Sequence, residues 1–246
     1  MRTVLVTGGA KRLGAAIVRR LAAVGYQVVI HYGRSGDEAA ALADEVGAAG
    51  IVSGDLAAVE TIGDLWARAC EVGGGPIDGL VNSASQFELD RPEAVDVALA
   101  ARLYALNCTA PVLLAGRLAR QGRGGAIVNL LDQKLANPNP DFFSYTLSKA
   151  ALEHATTLMA QAFAPAVRVN AVAPGLTLAS GDQSAGEFDR VARANLLERP
   201  VGAAAIADGV AYLLGAESVT GQTLFVDCGQ RFLKRDGDVM FEGRNG

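Results

Sequence analysis

The sequence predicts an α/β protein, a doubly wound parallel sheet in a single domain, on three observations. Short runs rich in β-branched and apolar residues alternate with longer stretches whose apolar residues recur at helical spacing. Several of the short runs are apolar on both faces, as strands covered by helices above and below must be. A chain of 246 residues, 50% of them hydrophobic, can bury one large core without needing a second domain.

The first strand is expected over residues 3–7 and runs into "TGGAKRLGAAIVRRL", residues 7–21, where a glycine turn leads to a helix over 13–24. Glycines let a backbone approach a pyrophosphate closely, and a helix N-terminus offers free N–H groups and a positive dipole end. Gly8, Arg12, Leu13 and Gly14 are therefore candidate phosphate contacts. The literal G-x-G-x-x-G pattern is absent and the spacing is T-G-x-x-x-R-x-G, so an ordinary strand-to-helix turn is the alternative. The second strand, 27–31, ends in His31-Tyr-Gly-Arg34-Ser35. A Rossmann-type NAD unit usually carries an acid there to hold the ribose hydroxyls, and that acid would repel a 2′-phosphate. A cation and a hydroxyl in its place predict NADP(H) as the cofactor.

Further strands are expected over 50–53, 79–82, 126–131, 167–172 and 223–226, with helices over 62–72, 95–120 and 145–163. After the Pro174-Gly175 break the chain is least patterned at residues 177–183, "TLASGDQ", a candidate lid within a substrate loop near 176–200. The tail, 231–246, has no clear period.

"SYTLSK", residues 144–149, places a phenol and an ammonium four residues apart, on one face of a helix. Phenol titrates near pH 10, and a neighbouring ammonium lowers that value by favouring phenolate. Tyr145 and Lys149 are thus expected to form a general acid tuned toward working pH.

These segments, followed in order by Asp55-Leu56, Asn82-Ser-Ala-Ser85, Asn107, Tyr145-x-x-x-Lys149 and Pro174-Gly175, resemble the short-chain dehydrogenase/reductase family over nearly the whole chain. The resemblance implies that Asp55 contacts adenine and that Asn82 supports the cofactor. It also implies that Lys149 holds the nicotinamide ribose and that Asn107 helps anchor a proton-relay water, with His31, Leu56, Pro174 and Gly175 in the cofactor's surroundings. It further implies a homodimer or homotetramer. One position departs from the family pattern. Where a Ser usually stands as a donor to the substrate carbonyl, this chain has Asp132, in "NLLDQK". An ionised carboxylate cannot donate. Either Asp132 is protonated, or it passes a proton to a substrate nitrogen, or ordinary carbonyl reduction is lost.

That departure, with "TGGAKRLG", "HYGRS" and "NSASQF", resembles the narrower branch of pteridine reductases. There Phe87 would stack a pterin against nicotinamide, Ser85 would contact cofactor and ligand, and Asp132 with Tyr145 would deliver a proton to a ring C=N. Phe87 as a plain core aromatic is the alternative. Reduction of ordinary or acyl-carrier-linked ketones, or a non-catalytic NADP-binding sensor, are the competing functions. Intact Tyr145, Lys149 and Asn107 argue against the sensor.

Composition narrows the rest. A formal net charge of −4, of mixed sign along the chain, argues against nucleic-acid binding. The opening residues lack a signal-peptide apolar region and no uncharged stretch of about 18 apolar residues follows, so a cytoplasmic protein with no membrane partner is expected. Cys70, Cys108 and Cys228, scattered in apolar surroundings, read as buried thiols. With His31 and His154 they lack metal-ligand spacing, and neither G-x-S-x-G nor a P-loop is present.

Overall fold

The computed structural model describes residues 2–179 and 185–238. Residues 180–183 of the expected lid and 239–246 of the tail lie outside the described residues. Seven strands, β1 Thr3–Thr7, β2 Gln27–Tyr32, β3 Gly50–Ser53, β4 Gly79–Asn82, β5 Gly125–Leu130, β6 Val167–Pro174 and β7 Thr223–Val226, form one parallel sheet in the order β3-β2-β1-β4-β5-β6-β7. Between them run α1 Arg12–Ala23, α2 Gly36–Val46, α3 Ile62–Val72, α4 Val97–Tyr104, α5 Ala110–Ala119, α6 Phe143–Phe163, α7 Ala185–Ala192 and α8 Ala203–Gly215.

Strand side chains alternate between faces, and both faces are apolar. Val4, Val6, Val28, Ile30, Val81 and Val128 join Ile17 and Leu21 of α1 and Ile206 and Val210 of α8 in one core layer. Leu5, Val29, Leu80, Ile127 and Val169 join Leu65 and Trp66 of α3, Leu114 of α5 and Met159 of α6 in the other. This double coverage is why the strands read as continuous apolar runs. All seven expected strands are present, within two residues at each end.

The long helix expected over 95–120 runs over Val97–Ala119, its halves α4 and α5 joined without a break by a wide π turn, Ala105–Thr109. Val97–Ala119 has the length and mean hydropathy, 1.5, to cross a membrane, a property that helices of protein cores share. Here it packs Leu103, Ala110, Leu114 and Leu118 away from solvent.

Strand order reverses between β1 and β4, and at such a switch point the connections leave on opposite faces and open a crevice beyond the strand ends. Thr7 marks that point. Its Oγ1 accepts from the N–H groups of Ser83 at 3.0 Å and Ala84 at 3.1 Å, joining the first turn to the segment after β4.

Candidate active site

The turn after β1 is shaped by what it excludes. Gly8 has φ +61°, and a Cβ there would lie 2.8 Å from Ala84 Cα. A Cβ on Gly14 would lie 2.0 Å from the Gly8 carbonyl oxygen, so only glycine lets α1 start against the turn. The result is a bare backbone cradle at the N-terminus of a 12-residue helix, the kind of site that takes a phosphate group. Arg12 stands at its rim with φ 53°, its guanidinium donating to Ala179 O at 2.7 Å. Just beyond β2, Arg34 is exposed and Ser35 half-buried at the start of α2, and Asp55, beyond β3, is exposed. Asn82 Nδ2 donates to Asn129 Oδ1 at 2.8 Å, while its buried Oδ1 has no hydrogen-bond partner among the described residues. A glycine cradle and two cations fit the phosphates of a dinucleotide, while the unsatisfied Asn82 Oδ1 can take only a donor.

Two of the expected cofactor contacts turn out to have their side chains engaged elsewhere. The His31 ring is buried: Nδ1 accepts from Gly8 N at 3.2 Å, and Nε2 donates to Gly54 O at 3.1 Å. Burial pushes its pKa down to about 4, so it is a neutral brace beneath the cradle. Leu56 is 3% exposed and belongs to the core, which leaves only its backbone for a ligand.

The cradle opens into a cleft of about 330 Å³ lined by Arg12, Leu13, Gly14, Ser85, Phe87, Asp132, Tyr145, Lys149, Pro174 and Gly175, all of which the sequence had singled out. Tyr145 and Lys149 reach it from the first turns of α6. Tyr145 Oη donates to Asp132 Oδ2 at 2.9 Å, and Asp132 Oδ1 accepts from Lys134 N at 2.8 Å. Lys149, 2% exposed, donates from Nζ to Leu130 O at 2.7 Å and stands 5.9 Å from the Tyr145 ring centroid.

This geometry corrects the expectation that the ammonium would lower the phenol's pKa. Burial, reinforced by the Asp132 carboxylate it faces, raises the Tyr145 pKa well above its ordinary value. Burial likewise raises that of Asp132 and lowers Lys149 to about 8. Burial thus works against charge on all three groups, though Lys149, at about 8, still holds its proton at neutral pH. A phenol and a carboxyl group share a hydrogen bond of 2.9 Å at the cleft, and the phenol carries a proton that can be handed to a bound molecule.

Phe87 is 45% exposed on the cleft wall, its ring 5.4 Å from Phe142 and 5.9 Å from Tyr145. It belongs to the cleft wall and is not a core aromatic. Asn107, in the π turn, is fully buried and does not line the cleft. Its Nδ2 donates to Gln86 O at 2.9 Å and Ser148 Oγ at 3.0 Å, and its Oδ1 accepts from Ser85 Oγ at 3.1 Å. Through its side chain, Asn107 ties the Ser85 loop to α6.

Several site residues carried no local signal. Asp90 accepts from both the backbone N and the Oγ of Ser144, fixing the start of α6. Lys134, Gln230 and Asp238 line the cleft as well, Gln230 from just before the tail and Asp238 from within it. The three cysteines are free thiols, Cys108 buried and the others half-buried.

The family model described as "short chain dehydrogenase" matches residues 2–189. The chain belongs to the short chain dehydrogenase family. Among curated members, pteridine reductase 1 of Leishmania tarentolae is 34% identical over 92% of this chain and 94% of its own. Among solved short chain dehydrogenase structures, FolM alternative dihydrofolate reductase 1 from Brucella canis, complexed with NADP, is 41% identical with a TM-score of 0.89 and 96% coverage of both chains. The angucycline C-6 ketoreductase LanV with bound NADP is 28% identical with a TM-score of 0.86, over 94% of this chain and 96% of that one.

Proposed function

We propose that this short chain dehydrogenase is an NADPH-dependent reductase acting on the C=N bond of a pteridine, of the dihydropterin or dihydrofolate type. The observation that carries this reading is the Tyr145–Asp132 hydrogen bond beside Phe87 in a buried cleft. A ring nitrogen becoming an amine must acquire a proton, and the phenol of Tyr145, which burial and the facing Asp132 hold in its protonated form, can supply one. A ketone asks instead for a hydroxyl donor to its oxygen, and Asp132 stands where that donor would be. The likeness to a pteridine reductase and to a dihydrofolate reductase complexed with NADP supports the same choice. LanV, a ketoreductase, keeps carbonyl reduction as the second reading.

When bound, NADPH supplies the hydride. The residues of this chain do the rest. Gly8, Gly14 and Arg12 receive the pyrophosphate, Arg34 and Ser35 the 2′-phosphate, and Lys149 the nicotinamide ribose. Phe87 and Ser85 hold the substrate ring, and Tyr145 with Asp132 protonates the nitrogen as its neighbouring carbon accepts hydride, so that C=N becomes CH–NH. Asn107 keeps α6 and the Ser85 loop in register. In this reading the enzyme works as a homodimer or homotetramer, which the exposed Val97 and Tyr104 on α4 and Leu147 and Leu158 on α6 support as apolar contact surface. A light-scattering mass of one 25.3 kDa chain would overturn that assembly.

The test of function is the loss of NADPH absorbance with dihydropterin, dihydrofolate, biopterin and a panel of small ketones. Turnover of the pteridines is expected. Turnover of ketones alone would overturn the substrate class and leave the cofactor assignment standing, and NADPH binding without any turnover would favour a sensor.

A further inference from the structure

One side chain, His31, holds two of the turns that meet at the cradle. It stands near the end of β2, which lies between β1 and β3 in the sheet, so its ring reaches the glycine turn after β1 and Gly54 after β3. The partners dictate the tautomer. A backbone N–H only donates, so Nδ1, 3.2 Å from Gly8 N, carries a lone pair; a carbonyl only accepts, so Nε2, 3.1 Å from Gly54 O, carries the proton. The main chain reinforces both ties: His31 O accepts from Gly9 N at 2.9 Å, and Tyr32 O accepts from Gly54 N at 3.0 Å. The charged groups that act on the ring, Arg68 from α3 and Asp55 from the turn after β3, oppose each other, and burial outweighs both in keeping it neutral.

We propose that His31 is a positioning residue for the cofactor: one ring sets the gap between the turn after β1 and the turn after β3, and so shapes the phosphate cradle before the cofactor arrives. The inference rests on the reading of the turn after β1 as that cradle. Gly8 N–H is committed to Nδ1 and is turned away from any phosphate. Gly8 therefore meets the pyrophosphate with a bare Cα, and the donors are the N–H groups of the first turn of α1, Arg12 to Gly14, which lack intrahelical partners. That helix feels the ring through Gly8. Gly14 packs so closely on the Gly8 carbonyl that an added Cβ would lie 2.0 Å from its oxygen, so a shift of Gly8 passes directly to the start of α1. Without the Nδ1 acceptor, the Gly8 N–H has no partner and the turn must be ordered at the moment of binding, which costs affinity.

Asparagine and glutamine separate the two halves of the ring. An Asn oxygen falls near the place of Nδ1 and still accepts from Gly8, whereas a Gln nitrogen falls near that of Nε2, donates to Gly54 and leaves Gly8 without an acceptor. NADP affinity by calorimetry should stay within about threefold in His31→Asn and fall about tenfold or more in His31→Gln, the scale of one lost hydrogen bond. Melting temperatures should fall in both. A role in stability alone predicts the lower melting with NADP affinity the same in the two variants, and that result would overturn the proposal. Nitrogen NMR of the wild type decides the matter even if neither variant folds. A scalar coupling across the Gly8 N–H to Nδ1 bond should be present in the free protein and persist when NADP is added. Its disappearance on adding NADP would show a phosphate taking the Gly8 N–H, and a proton on Nδ1 would show that the bond is never made; either overturns the role of His31. A wild type that binds no NADP removes the cradle reading together with this inference, whereas NADP bound equally by all three proteins removes only the inference.

Discussion

A phenol donating to a carboxylate distinguishes this site from one built around a hydroxyl donor, and it sets what single substitutions should do. Tyr145→Phe removes the proton donor and leaves the cradle, Arg34 and Lys149 untouched. Turnover should fall by roughly 100-fold or more, the scale of a lost general acid, while NADPH affinity measured by fluorescence titration stays within about twofold. Equal losses in both would show that Tyr145 holds the cofactor and does not serve proton transfer. At the other end of the cleft, Arg34→Asp puts a carboxylate where a 2′-phosphate would lie. The ratio of kcat/KM for NADPH over NADH should drop at least tenfold, and an unchanged ratio would remove Arg34 from the cofactor site.

At the scale of elements, the decisive piece is the start of α6. Asp90, from the segment after β4, accepts the Ser144 N–H at 3.0 Å and also the Ser144 hydroxyl, and both are buried. Asp90→Ala would leave those donors unmatched, at a cost of about 1–3 kcal/mol, and would loosen the turn that carries Tyr145. A melting temperature lower by about 3–10 °C is expected in a chain of this size, with kcat falling more than the KM for NADPH. A variant with normal kcat would make Asp90 a stabiliser only. The same contact explains what local pattern could not convey. Periodicity placed this helix from residue 145, whereas it begins at Phe143, because its first turn is set by a residue 54 positions earlier. Likewise the helix expected over 95–120 holds a π turn, Ala105–Thr109, that buries Asn107, a local widening that apolar spacing alone does not report. The strands, by contrast, were legible because burial on both faces writes itself directly into composition.

Across the whole molecule, the sheet joins groups whose ionisation the fold resists. His31 titrates near 4 in the fold against about 6.5 when exposed. Between those values the unfolded chain binds a proton that the folded chain does not, so stability present above pH 6.5 is lost as pH falls toward 4. The loss amounts to about 3 kcal/mol. Melting curves from pH 7 to 4.5 should show this slope, and His31→Asn should flatten it. Equal slopes would assign the acid sensitivity to other groups. The glycine cradle after β1 and Arg34 and Ser35 after β2 were legible as candidates because they fall on consecutive β-α turns. The tail was not, because its place is set by isolated contacts to Asn137, Asp141 and Leu176 and by no repeating pattern. One of these contacts has a wider consequence. Because the Gln230 side chain holds the backbone just after Pro174-Gly175, the segment following β6 and the segment following β7 are tied into one wall. The donor is the backbone N–H of Leu176, so the tie tolerates most residues at that end and depends on the amide at Gln230. A chimera that replaces the segment after β7 must therefore carry a glutamine at this position to keep the wall joined.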